Sequence, residues 1–449
     1  ECKTGGDIVI LLGRGTVITR DVNRPIIYDG GVLIDGSTIV AVEDFETLQQ
    51  KYPNVEIIDA HNGLIMPGFI NGHHHIYSAL ARGLSMPGPA PTNFGEILEN
   101  LWFKLDNHLL ADDVKASALL TYMGCIENGV TTIFDHHASY GDIDGSLSII
   151  ADVAKRFGVR SCLCYEISDR NGVEAMEQAV HENLRFAEEA EKDAEHLAAM
   201  MGLHASFTLS PSTLDYVQSK NTKQLGYHVH IAEGPEDVQD SLEQYGVSPM
   251  RRLYECNILG AKTIAGHCVH VNDEDVQLLK DSHTNVVHNP ESNMGNAVGT
   301  TDILKLLGAG ITVGLGTDGY TNDMLESYKV ANCLVKHENH KPYVGWSEVP
   351  YMLFENNRTL ANQFFDVTVG VLRPSAAADV VVLDYVAPTP LDEKNINGHL
   401  LFGATGMHVI TTISDGIPRM IDRQLQGLDK AEIMEYIRKT SETLWKRII

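Results

Sequence analysis

Six side chains able to bind metal ions or move protons stand at or just past the ends of apolar runs: His73, His75, His230, Glu233, His267 and Asp318. His73 and His75 close the run Pro67-Gly68-Phe69-Ile70-Asn71-Gly72. Side chains two residues apart on a strand face the same way, so both imidazoles converge on one side while His74 faces the other. Two neutral imidazoles at a strand end suit a divalent metal. Further along stand His228-Val229-His230-Ile231-Ala232-Glu233, Gly266-His267-Cys268 and Gly316-Thr317-Asp318-Gly319. Taken singly, each has an ordinary account as a hydrogen-bonded strand histidine, a first-turn helix acid or a turn residue. Their joint occurrence at strand ends that would open on one mouth favours a metal site.

The elements that must carry these residues alternate strand, loop and helix. The strands expected are Leu64 to Ile70, Thr131 to Asp135, Arg160 to Glu166, Gly202 to Phe207, Tyr227 to Ile231, Thr263 to Gly266, Asn285 to Val287 and Thr312 to Gly316. Eight such strands with helices between them predict an α/β fold, a (β/α)8 barrel with its chemistry at the carboxyl ends of the strands. One helix is well marked, from Asp112 and Asp113 to Gly129. The first crossover is long, carries Leu98, Leu101, Trp102 and Leu105, and reads equally as a lid or a subunit contact. Short strands without a covering helix precede the barrel (Ile8 to Leu12, Thr16 to Thr19, Gly31 to Ile34, Thr38 to Val42), and others follow it (Asp379 to Leu383, Val409 to Ser414, Arg419 to Asp422). Asp35-Gly36 and Asp415-Gly416 mark hairpins. Two incomplete strand sets at opposite ends can complete one small composite β-sandwich, giving boundaries at 1–61, 62–368 and 369–449, with a last helix from Asp429 to Trp445.

Composition narrows the partners. The 60 acidic and 34 basic residues among 449 give a net charge of −26, which repels phosphate backbones and anionic membrane surfaces. No nucleic-acid or membrane partner is expected, and no apolar run approaches a membrane span. Seven scattered cysteines, Cys2 among them, read as reduced thiols packed as small apolar groups, which suits the cytoplasm.

These motifs, with His204-Ala205-Ser206-Phe207-Thr208, His288-Asn289-Pro290-Glu291-Ser292-Asn293 and Ala378-Asp379-Val380, resemble the amidohydrolase superfamily. The resemblance is to its branch of metal-dependent deaminases and chlorohydrolases, which includes cytosine deaminase and the triazine hydrolases. Asn100-Leu101-Trp102, Asp135-His136-His137-Ala138-Ser139 and Asp169-Arg170-Asn171 are most similar to a bacterial aminohydrolase subgroup. The resemblance implies that His73, His75, His230 and Asp318 hold one divalent metal ion per chain, zinc first and iron as the other candidate, with water in the open position. It implies catalytic roles for Asp318 in taking the water proton, His267 in orienting the nucleophile and Glu233 in protonating a ring nitrogen. His204 faces the substrate by the same resemblance, and Trp102, His137 and Arg170 are candidate substrate contacts. No lysine stands at a strand end to bridge two metals, which favours one metal and deamination.

The activity implied is hydrolytic release of ammonia from a small nitrogen heterocycle, a purine or a purine-derived or pyrimidine-like compound, by attack of metal-activated water. Cleavage of a cyclic amide, or displacement of another leaving group such as chloride, is the alternative, with a non-catalytic scaffold more remote. The partners expected are a small-molecule substrate, water and a second copy, as a homodimer or larger even assembly.

Overall fold

The computed structural model describes residues 9–449. Cys2 and the first residue of the strand expected at Ile8 lie outside the described residues. Among the described residues two sheets organise the chain, each of nine strands. The barrel strands are β1 (Phe69–His74), β2 (Val130–His137), β3 (Arg160–Ile167), β4 (Met201–Ala205), β5 (Tyr227–Ile231), β6 (Ile264–His267), β7 (Asn285–His288) and β8 (Val313–Leu315). They pair in parallel and in chain order, and a short strand, Leu197–Ala199, pairs with β3 beside β4. These strands are almost wholly buried on both faces, which is why they read as continuous apolar runs rather than alternating ones. Closure between β8 and β1 rests on a parallel bridge from His74 to Asp318 and on the His73 carbonyl, which accepts the Thr317 and Asp318 N–H groups at 3.1 and 3.0 Å.

The other sheet is composite, as its two halves required. Its order runs from Gln424–Leu425 through Ile417–Ile421, Val409–Ser414 and Val380–Leu383 to Leu64–Pro67, Val9–Ile18, Ile26–Asp35 and Thr38–Asp44, with Glu56–Asp59 beside Val9–Ile18. Residues from both chain ends, among them Ile10, Leu12, Val32, Val380, Val382 and Ile413, share one core. Both Asp-Gly turns form, and they pack on each other. A Cβ on Gly416, whose φ is +70°, would lie 1.8 Å from the Gly36 carbonyl oxygen, so only glycine fits there.

Three expectations are corrected. The run Leu64 to Ile70 is two strands in two sheets: Leu64–Pro67 pairs antiparallel with Val380–Leu383, and the chain crosses at Pro67-Gly68 into β1. Both halves are fully buried, so hydrophobicity carries no mark of the break. The segments around Leu12 and Thr16 are one strand, Val9–Ile18, bent by register shifts between Gly13 and Gly15 and between Gly15 and Val17. A short helix, Phe45–Lys51, does cover this sheet, seating Phe45 and Leu48 on Leu11 and Leu33. Its Asp44 cap accepts the Thr47 N–H at 2.9 Å.

The marked helix spans Ala111–Glu127 and packs under the last helix, Lys430–Ile448, which buries Ile433, Ile437 and Leu444. The first crossover is helical from Phe94 to His108, with one wider turn at Leu98–Trp102, and lies over the carboxyl end of the barrel.

Candidate active site

His73 and His75 leave β1 on one face, as period-two alternation requires, while His74 turns to the Thr317 hydroxyl, 3.0 Å away. His230 ends β5 and His267 ends β6. Asp318 follows β8. His267 and Asp318 sit at φ of +68° and +52°, a region unfavourable for residues with a Cβ, and this backbone aims both side chains inward over the strand ends.

The inward atoms converge. In the trio His73, His75 and His230, and again in His73, His267 and Asp318, the ligating atoms all lie within 4.8 Å of one another. His75 Nε2 is 3.0 Å from His230 Nε2 and 3.0 Å from Asp318 Oδ1, and His73 Nε2 is 3.5 Å from that oxygen. Outer contacts fix the rings. His75 Nδ1 donates to the His136 carbonyl at 2.6 Å, and His230 Nδ1 donates to the His204 carbonyl at 2.8 Å. His73 Nδ1 shares a 2.7 Å hydrogen bond with His228 Nε2, and His267 Nδ1 donates to Asn293 Oδ1 at 2.7 Å. Sequence reasoning missed His228 as a supporting group. Its period-two relation to His230 on β5 was the available signal.

These contacts test whether a metal fits. With their Nδ1 hydrogens directed at carbonyls, His75 and His230 point Nε2 lone pairs at each other unless something positive lies between them. Burial lowers the His73 pKa to about 4 and takes His230 well below its ordinary value, so both are neutral. Burial also works against a charge on His75, but the Asp318 carboxylate overrides it and raises His75 to about 9. One buried proton would relieve that pair yet leave His73 Nε2 and His267 Nε2, both buried, with no hydrogen-bond partner. A divalent cation among His73, His75, His230 and Asp318 uses the facing lone pairs and the orphaned His73 nitrogen together, so the residues fit one.

Glu233 stands beside this cluster, Oε2 3.5 Å from His267 Nε2, with Asn296 donating to Oε1 at 3.3 Å. Asp318 Oδ2 lies 3.9 Å from the same His267 nitrogen and accepts the Ser292 hydroxyl. Burial lifts the Glu233 carboxyl to about 7, His267 pulling it down and Asp318 pushing it up. Such a group can hold a proton or release it near neutral pH.

The cluster opens on a cavity of about 910 Å³, open solvent at its mouth included. Phe94, Leu98, Trp102 and Phe103 of the crossover form its roof, and Tyr77 and Phe207 add aromatic wall. Trp102 and His204 line it, as do His75, His230, Glu233 and Asp318. Burial lowers His204 to about 4, and its Nδ1 is 2.8 Å from the Thr208 hydroxyl. His137 and Arg170 are not at the wall. His137 is fully buried beside the Ser139 hydroxyl, 3.0 Å away. Arg170 lies 3.7 Å from the Phe103 ring centroid and donates to Asp106 at 2.9 Å and Glu166 at 2.5 Å. Sequence reasoning assigned no role to Asp106, Glu236 or Tyr77, because only the fold of the crossover and of the loop after β5 carries them to the cavity.

The amidohydrolase family model matches residues 64–417, the barrel and its joints to the second sheet, and a bacterial imidazolonepropionase-like composite domain matches residues 30–54. A 5-methylthioadenosine/S-adenosylhomocysteine deaminase of Pelotomaculum thermopropionicum is 29% identical over 98% of this chain and 99% of its own. A 5'-deoxyadenosine deaminase of Methanococcoides burtonii is 27% identical over 98% of each. Among solved structures, an adenosine deaminase from Xanthomonas campestris with bound zinc superposes with a TM-score of 0.86, covering 97% of this chain and 98% of its own at 21% identity, a likeness of fold. With a match that spans the barrel and motifs that meet in one cluster, the chain belongs to the amidohydrolase family.

Proposed function

We propose that the protein is a hydrolytic deaminase that replaces the exocyclic amino group of a purine-type ring with oxygen and releases ammonia, using one zinc ion per chain held by His73, His75, His230 and Asp318. The observation that carries this reading is the placement of the Glu233 and Asp318 carboxylates 3.5 and 3.9 Å from His267 Nε2, on the floor of an aromatic-walled cavity. When bound, the ion supplies the Lewis acidity that brings the pKa of a coordinated water from about 16 toward about 7. Asp318, oriented by the Ser292 hydroxyl, accepts a proton from the attacking water. His267 is fixed by Asn293, so its Nε2 polarises that water without turning. Glu233, whose pKa lies near neutrality, donates its proton to the ring nitrogen next to the amine-bearing carbon, which makes that carbon electrophilic. Proton return to the amino group then lets it leave as ammonia. Phe94, Trp102 and Phe103 offer flat apolar faces for the ring.

The purine preference is supported by the names of the relatives, which are deaminases of adenine-bearing compounds, and zinc by the solved neighbour. The test is ammonia release from a panel of aminopurines, aminopyrimidines and their nucleosides, using protein whose metal content is known from elemental analysis. Ammonia from aminopurines with about one zinc per chain is expected. Metal-replete protein that opens a ring or displaces chloride, and releases no ammonia, would overturn the proposal.

A further inference from the structure

We infer that the cavity is built for a substrate whose arm beyond the ring is neutral or cationic and rich in hydrogen-bond donors, and that it excludes anionic arms such as phosphate. This rests on the deaminase reading for the ring and adds a statement about the rest of the molecule. Among the described residues the cavity wall carries the carboxyl groups of Asp106, Glu166, Glu233, Glu236, Asp237 and Asp318, and neither lysine nor arginine. Four of these have evident employment. Glu233 and Asp318 face the metal cluster, Glu166 is paired with Arg170, and Asp237 accepts the N–H groups of Ala232 and Phe207 at 2.8 and 3.2 Å.

The other two are left over. Asp106, 1% exposed, spends Oδ2 on Arg170, while its Oδ1 is buried with no partner. Glu236, in the first turn of the helix Pro235–Tyr245, likewise buries Oε2 with no partner. A buried carboxylate oxygen without a donor is costly, and a ligand hydroxyl or ammonium brought to it supplies what the protein does not. Arg170 gives an anion no refuge, because it lies against the Phe103 ring and is shared by Asp106 and Glu166. A phosphate in this cavity would meet buried like charge with no lysine or arginine at the wall to pair with it, an arrangement that discriminates strongly against a partner.

Three compounds sharing one aminopurine-ribose body test this, with arms ending in a hydroxyl, a primary amine or a phosphate. Affinity is read by calorimetry on zinc-loaded Glu233→Gln protein, and turnover by ammonia release from the native enzyme. The phosphate arm is expected to bind at least about 100-fold more weakly than the hydroxyl arm, and the amine arm at least as tightly. Asp106→Asn and Glu236→Gln should each shrink the phosphate penalty about tenfold, with melting temperatures reporting that the variants fold. A phosphate arm bound as well as the hydroxyl arm overturns the inference, as does a penalty unchanged in both folded variants. The affinity order persisting without ammonia from any of the three supports the inference and overturns the deaminase reading. Equal ammonia release from all three overturns the inference alone, and absence of binding by all three overturns both.

Discussion

The His73 carbonyl accepts the Asp318 N–H at 3.0 Å, so a hydrogen bond that closes the barrel also joins the first and last members of the candidate ligand set. Seam and site are one structure. Changes to Asp318 should therefore be felt in metal retention as well as rate. Asp318→Asn is expected to lower zinc content on elemental analysis and to cut kcat by at least about 1,000-fold. Glu233→Gln should cut kcat by about 100- to 10,000-fold at unchanged zinc content. Full activity in the Glu233 variant would remove it from the proton path.

His228 holds His73 from behind at 2.7 Å without lining the cavity. His228→Ala should weaken zinc affinity about 10- to 100-fold in competition with a chromophoric chelator, with little change in KM once zinc is saturating. Unaltered zinc affinity would show that His73 needs no such support.

Removing the metal leaves the inward nitrogen of His73 buried and unpaired. Exhaustive chelation should lower Tm, and zinc at about a thousandfold excess over Kd should restore about 4 kcal/mol of stability. Identical melting curves with and without zinc would count against the ligand set.

The joint between barrel and second sheet has its own ion pair. Arg160, 1% exposed at the start of β3, donates to Asp379 at 3.0 Å and Asp415 at 3.3 Å. Arg160→Ala leaves Asp379 buried and uncompensated, and should cost about 3–5 kcal/mol in urea denaturation. A loss below about 1 kcal/mol would mean that the joint is held by apolar packing alone.

Beside this pair, His196 lies 2.6 Å from Asp193 and 3.0 Å from Asp415. The Asp415 carboxylate raises its pKa to about 9 against the opposing effect of burial, with Asp193 adding. Because the folded value lies above the ordinary value of 6.5, this contribution is complete below pH 6.5 and is lost as pH rises through about 9. Tm should fall less steeply between pH 7 and 10 in His196→Gln than in the native protein. Parallel slopes would exclude His196 as the titrating group.

By itself, the sequence determined the chemistry and the architecture. Imidazoles at His73, His75 and His230 and acids at Glu233 and Asp318 follow apolar runs, and strand alternation and the helical intervals between them dictate that these meet at one end of a parallel barrel. The Asp-Gly turns were equally legible, because few dipeptides tolerate their backbone. The tertiary structure alone decided what depends on lateral packing. It split Leu64 to Ile70 between two sheets, since burial on both faces erases the periodicity that marks an end. It withdrew His137 and Arg170 from the cavity wall and carried Phe103, Asp106 and Glu236 to it. The path of a long crossover over a barrel mouth is set by which side chains fit beneath it, and that information is not local to any stretch of the chain.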